Sequence, residues 1–229
     1  MSWLALYMKE LRLTRTSFLI NMMSLVVVGG LLFYLIERHS PFFVTLTVLL
    51  IVAHFFYMFF AMLSSLRQEW KQKTTVFWLN IPVRGWQLLS AKFAAAMTQL
   101  FISLVTTFLI TYFLLKNSSE YFPDPMVSNF LIRQMEAYWW VLFLGIFIAS
   151  LQSGVVATFI YMMAKSVRKF GWLLGIAISM VGSWLWVRFQ DTAIYRGVTE
   201  WGVIMRETEF MESLEIFLTL EKTQRFIWE

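Results

Sequence analysis

Phe93-Ala-Ala-Ala-Met-Thr-Gln-Leu-Phe-Ile-Ser-Leu-Val-Thr-Thr-Phe-Leu-Ile-Thr-Tyr-Phe-Leu-Leu115 carries no charge between Lys92 and Lys116. At a helical rise of about 1.5 Å per residue it is long enough to cross the roughly 30 Å hydrocarbon core of a bilayer. Working outward, this span opens near residue 88, and four more stretches share its character, at about 17–36, 42–64, 137–163 and 171–189. Hydrophobic residues make up 59% of the 229-residue chain and charged residues 14%, more apolar surface than a soluble domain of that size can bury. The sequence therefore predicts an all-α polytopic transmembrane bundle, residues 1–189, with lipid covering much of its exterior.

Lys and Arg orient that bundle. Lys9, Arg12 and Arg15 precede span 1; Arg67, Lys71, Lys73, Arg84 and Lys92 lie between spans 2 and 3; Lys165, Arg168 and Lys169 lie between spans 4 and 5. The alternate links hold only Arg38, Lys116 and Arg133, eleven cations against three. By the positive-inside rule the N-terminus and the 64–92 and 164–170 links face the cytoplasm of a cell membrane. Residues 190–229 then lie outside the cytoplasm, with eight acidic residues against four basic ones and no long apolar run. The net charge of +5 is concentrated at membrane ends rather than on one continuous basic face, which argues against a nucleic-acid partner. The start lacks a basic region ahead of its apolar residues and a small-residue cleavage site, so no cleaved signal peptide is expected.

Between these spans, residues 1–16 read as a short interfacial helix with Trp3, Leu4, Tyr7 and Leu11 near one face. Pro41 suits the first turn of span 2. The 116–136 link, with Asn117-Ser-Ser and Pro123-Asp124-Pro125, reads as a loop with a short helix near 126–135. Residues 67–79 form an amphipathic segment much longer than a plain connection needs. Arg67, Glu69, Trp70, Lys71, Lys73 and Phe77 are its candidate contacts with a soluble partner, and Ile81-Pro82-Val83-Arg84-Gly85 ends it.

No phosphate-binding Gly-rich loop, Gly-x-Ser-x-Gly or His-Glu-x-x-His occurs, and neither His39 nor His54 has a close-spaced second metal ligand. The chain has no cysteine, which excludes disulfides and thiolate chemistry. No paired nucleophile and base appears within the spans, so an intramembrane hydrolase is poorly supported and no enzymatic activity, cofactor or metal site is assigned to this chain. His54, Gln99 and Gln152 are the candidate pathway residues; their alternative role, shared by Asn21, is hydrogen bonding between helices. Gly145, Ala149, Ser153 and Ala157 recur every four residues on span 4, and Gly171, Gly175, Ser179 and Ser183 repeat this on span 5, faces suited to close helix packing within or between subunits. Trp3, Tyr7, Trp78, Trp86, Tyr138, Trp139, Trp140, Trp172, Trp184 and Trp186 read as interface belts.

Tyr7-Met-Lys-Glu-Leu-Arg-Leu-Thr-Arg-Thr-Ser-Phe18 before span 1, Glu69-Trp-Lys-Gln-Lys-Thr-Thr after span 2, and Leu79-Asn-Ile-Pro-Val-Arg-Gly-Trp-Gln-Leu-Leu-Ser-Ala-Lys92 before span 3 resemble the membrane subunit of ABC-2 type transporters. Pro82, Val83 and Arg84 match that family's Leu-Pro-Val-Ser-Arg type segment, with Ile81 in place of Leu. The resemblance implies an elbow helix at about 2–16 and a coupling helix at about 67–78 seated in a separate ATP-binding subunit. It also implies a pair of permease subunits, identical or related, working with two ATPases. ATP and Mg would be bound in those partners, and a hydrophobic or amphipathic peptide, drug or lipid-like molecule would be exported from a bacterial cell. The family has six spans with both ends cytoplasmic, whereas this chain shows five followed by an acidic segment. Either a sixth span follows residue 229 or this region is atypical, because Ser213–Leu220 is too short and too acidic to serve. A non-transporting membrane sensor or assembly factor, recruiting a cytoplasmic partner through the same link, is the alternative.

Overall fold

Once the hydrophobic runs adopt helix, most backbone N–H and C=O groups are satisfied within each run, the condition for crossing lipid. The computed structural model describes residues 2–71, 83–122, 125–167 and 169–199, and no strand occurs among them. Five helical stretches are long and apolar enough to span a membrane, so the chain has the architecture of a multi-pass membrane protein. They are α1 (Trp3–Arg38), a second span assembled from α2 (Leu46–Ala53) and α3 (Tyr57–Lys71), α4 (Gly85–Ser118), α5 (Pro125–Ser166) and α6 (Gly171–Gln190). A short α7 (Ala193–Thr199) follows.

The helices outrun the expected spans. The segment expected as a separate interfacial helix at 1–16 is the first part of α1, which is continuous for 36 residues. No Pro or Gly interrupts Leu11–Phe18, so nothing in the sequence breaks the ladder at Arg15. In the same way, the short helix expected near 126–135 is the beginning of the 42-residue α5, whose Pro125 stands at its first position. Residues 67–71 continue α3 rather than open a new helix, and the remainder of the expected coupling segment, including Lys73 and Phe77, lies outside the described residues. So do residues 200–229 of the acidic segment.

Within Met1–Ala177, α4 is the central element. Its buried positions include Leu88, Ala91, Ala95, Gln99, Leu104, Phe108, Thr111 and Leu115, so neighbours pack against it along most of its length. Matching positions show that α1 runs parallel to it, Tyr7 meeting Thr98 and Asn21 meeting Ser103. The second span and α5 run antiparallel to α4, His54 meeting Ser103 and Tyr112 meeting Glu136. Apolar clusters occupy successive levels: Leu6, Leu88 and Ala91; Met58, Met62, Ala96 and Leu100; Ile51, Leu104, Phe108 and Phe143; then Leu32, Ile36, Val44 and Leu114. Large apolar side chains such as Ile20, Met23, Val27, Leu49 and Leu109 point outward, the inversion expected where lipid replaces water.

Small residues set the closest approaches. A Cβ on Gly154 of α5 would meet the Met58 Cβ of α3 at 2.9 Å, and one on Gly171 would meet the Met163 carbonyl oxygen at 2.1 Å, so the turn from α5 into α6 admits no side chain there. Gly175 continues that contact, its Cβ position lying 2.9 Å from the Ile160 Cα. On α5 the packed face is Ser150, Gly154 and Ala157, while Gly145 looks into open space. The expected four-residue repeat is thus joined only in part: four residues advance a helix by about 40° beyond a full turn, so a strict repeat drifts off any one face. In Ile178–Glu229, Trp186, Phe189 and Tyr195 form a ring cluster with centroids 5.7 to 6.2 Å apart, and the Arg188 guanidinium lies over Trp184.

Candidate functional site: a polar cleft over an ionic base

The second span is interrupted at its middle, and the cause is local. His54 Nδ1 donates to the Leu50 carbonyl at 2.8 Å, occupying the acceptor that its own backbone N–H would use in an α-helix. That N–H turns instead to Ile51 and Val52, and His54–Phe56 becomes a tight 3-10 turn between α2 and α3. The backbone groups disturbed by this turn find partners on α5. The Met58 N–H donates to Ser150 Oγ at 3.2 Å, and the Ser153 hydroxyl hydrogen is shared between the Ser150 carbonyl at 2.7 Å and the Phe55 carbonyl at 3.0 Å. A break in a transmembrane helix persists where neighbouring Ser side chains satisfy the freed groups in this way.

With Nδ1 as donor, the other nitrogen of a neutral imidazole is an acceptor, and Ser103 Oγ on α4 lies 2.9 Å from it. Asn21 Nδ2 of α1 donates to the same Ser103 oxygen at 3.0 Å. Protons therefore point one way along the chain, from Asn21 through Ser103 to His54 Nε2. Thr107 spends its hydroxyl hydrogen on the Ser103 carbonyl and stands 3.4 Å from Nε2. Nearer the basic end, Gln99 Nε2 donates to Thr14 Oγ1 at 2.6 Å, and Thr14 donates to the Glu10 carbonyl.

At the basic end, charge is buried. Lys92 Nζ lies 2.7 Å from Glu10 Oε2 and 3.0 Å from Glu69 Oε1, with Ser65 Oγ at 3.2 Å. The Lys92 side chain is 1% exposed and the two carboxylate side chains 6% and 8%, so this ion cluster is effectively out of solvent. Glu10 belongs to α1, Glu69 to the end of α3 and Lys92 to the beginning of α4. The opposite charges offset one another's desolvation, and the cluster ties the three helices at one level. Around it, Trp3 Nε1 donates to Ser90 Oγ at 2.9 Å. Tyr7 donates its hydroxyl to Thr98 at 3.0 Å, since Thr98 gives its own hydrogen to the Ala94 carbonyl.

Above this base, α1 and α3 part to leave a cleft of ≈ 380 Å³, floored by Ala95, Ala96 and Gln99 of α4. Thr14, Ser17 and Asn21 line it from α1, and Tyr57, Ser64, Ser65 and Gln68 from the second span. Of the expected pathway residues, Gln99 lies on its floor. His54 is buried at 5% exposure beneath the stacked Tyr57 ring and reaches the cleft through Ser103 and Asn21, while Gln152 faces outward on α5. Of the expected docking residues, Arg67 and Lys71 are exposed. Glu69 is held inward by Lys92, and Trp70 packs edge-on against Tyr161 at 5.4 Å.

Sequence reasoning missed Glu10 and Lys92. Both sat inside groups of positive-inside charges, where Lys92 counted only as a marker of sidedness; the available signal was a lone cation set between Leu88-Leu89 and Phe93-Ala94 on an otherwise apolar helix. Among the described residues no group of His, Cys, Asp and Glu is arranged to hold a metal ion. No family model, curated protein or solved structure matches this chain.

Proposed function

We propose that this chain is the membrane permease subunit of an ATP-driven transporter of the ABC-2 type. In this reading its N-terminus is cytoplasmic, it pairs with a second permease subunit and two ATPases in a bacterial cell membrane, and it exports a hydrophobic or amphipathic molecule. The observation that carries the reading is the Glu10–Lys92–Glu69 cluster. The 72–82 link leaves α3 two residues after Glu69 and re-enters near the start of α4, ahead of Lys92. A partner pressing on that link moves α1, α3 and α4 together, and the polar cleft lies directly above the point where they are joined. The energy source is external, since the sequence has no phosphate-binding loop of its own.

The test is recovery of the intact protein in mild detergent, with identification of bound chains and assay of ATP hydrolysis. A stoichiometric ATPase is expected. Because Glu69 and Trp70 serve the bundle, the docking variants are Arg67→Glu and Lys71→Glu, both on exposed side chains, combined with Lys73→Glu. These are expected to abolish ATPase recovery while membrane insertion is retained. Recovery equal to the parent protein would remove the link from the docking role, and a folded protein with no ATPase would leave the sensor or assembly role in its place.

A further inference from the structure

We propose that the outward-facing groove between α4 and α5 binds an amphipathic organic cation, its charge on Glu136 and its apolar body against an aromatic wall. The groove has a volume of ≈ 720 Å³, within the roughly 300–1,000 Å³ of small-molecule sites. The exposed rings of Phe101, Trp139 and Trp140 line it, and the buried Phe143 backs them, meeting Phe101, Phe108 and Trp139 in edge contacts with centroids 5.6, 5.7 and 6.4 Å away. The acid in the lining is Glu136, seven residues before Phe143 on α5 and so about 10 Å away along the helix axis.

Charge selects the occupant. Glu136 accepts a hydrogen bond from Tyr112 Oη at 3.0 Å, and among the described residues no cation pairs with it. Arg133, three residues earlier, is exposed and makes no ion pair with it. Aromatic faces carry negative potential and attract cations, more strongly where water is excluded. The two features act in the same direction, favouring a cation over a neutral or anionic ligand. Their separation suits a molecule whose positive centre sits beside a bulky apolar body. The groove and the polar cleft are lined by different residues. A role for the groove in export rests on the transporter reading, whereas binding itself needs no ATPase and is measured without one.

The experiment is equilibrium dialysis of the purified full chain in detergent against radiolabelled tetraphenylphosphonium, with triphenylphosphine oxide as the neutral competitor. Saturable binding of one cation per chain is expected. Glu136→Gln should weaken it about tenfold or more, Glu136→Asp by no more than about threefold, and the neutral competitor should displace little. Because Glu136 is exposed, both variants are expected to remain monodisperse, which size-exclusion chromatography checks. The proposal is overturned if folded protein shows no saturable binding, if Glu136→Gln binds like the parent, or if the neutral compound competes equally. It is also overturned if native mass spectra show a phospholipid that the cation does not displace. Efficient dimer formation through Leu144→Cys, in a chain with no other cysteine, would instead assign the groove to a second copy.

Discussion

The α1–α4 seam and the α3–α5 seam lie in the same bundle but are held by different means. Along α1–α4 the contacts are between side chains: Trp3 with Ser90, Tyr7 with Thr98, Glu10 with Lys92, Thr14 with Gln99, Asn21 with Ser103. Along α3–α5 the helices touch through Gly154 and Ala157, and serines there are directed at backbone groups, Ser150 at the Met58 N–H and Ser153 at the Phe55 carbonyl. Backbone-directed contacts are fixed by helix geometry, whereas hydroxyls, amides and ammonium groups on side chains can exchange partners or take water. In a bilayer close packing alone can hold helices together, so the more costly polar seam needs another reason. The cleft lies beside that seam, with Thr14, Ser17 and Asn21 of α1 in its lining.

The sharpest way to break this comparison is at the ionic base. Lys92→Met leaves Glu10 and Glu69 buried without their shared cation, and a loss of about 3–5 kcal/mol is expected, read as a large drop in thermal midpoint in detergent. Converting all three positions together, Glu10→Leu, Glu69→Leu and Lys92→Met, should recover most of that stability, because a well-packed apolar set often replaces a buried ion cluster at little cost. If the single variant is as stable as the parent, the cluster does not tie the helices and the polar seam loses its anchor.

The next effect belongs to the packed seam. Gly154→Ala places a methyl 2.9 Å from the Met58 Cβ, an atom too close to its backbone to swing away, and should cost about 1–3 kcal/mol. Gly145→Ala, on the same helix with nothing within 4 Å, should lie within about 0.5 kcal/mol of the parent. Equal effects at both positions would show that the α3–α5 contact is not where the structure places it.

The spans were legible because apolar run length is a property of the linear sequence: four expected spans lie within single observed helices, and the second, 42–64, lies within a helical stretch broken at His54–Phe56. Helix ends were less so. Arg12 and Arg15 look like a boundary, but charge does not break a backbone ladder, and α1 runs straight through them. The phase of the small-residue face was half legible: Ser153 and Ala157 take part, yet Gly145 is rotated about 140° from Ser150. Of the ionic base the sequence shows only the odd placing of Lys92 on an apolar helix; its partners are 82 and 23 residues away, and only the fold brings the three charges to one level. His54 was visible as an unusual residue, and its two alternatives, pathway group or cross-helix glue, differ in the sequence by nothing.

The smallest expected effect separates those alternatives. His54 joins the two seams, since its Nε2 accepts from Ser103 on the α4 side while the turn that it causes is braced by Ser150 and Ser153 on the α5 side. A double-mutant cycle of His54→Ala with Ser103→Ala should give a coupling of about 0.6 kcal/mol, at most about 1.7, in line with interhelical hydrogen bonds in membranes. Removing the imidazole also returns the Leu50 carbonyl to the backbone, so His54→Ala should let the second span regain α-helical bonding at 54–56. Ser150→Ala would then be less damaging in the His54→Ala background than in the parent, because fewer freed backbone groups await a partner. If Ser150→Ala costs the same in both, the turn is not caused by the histidine, and the link between the seams runs through packing at Met58 instead.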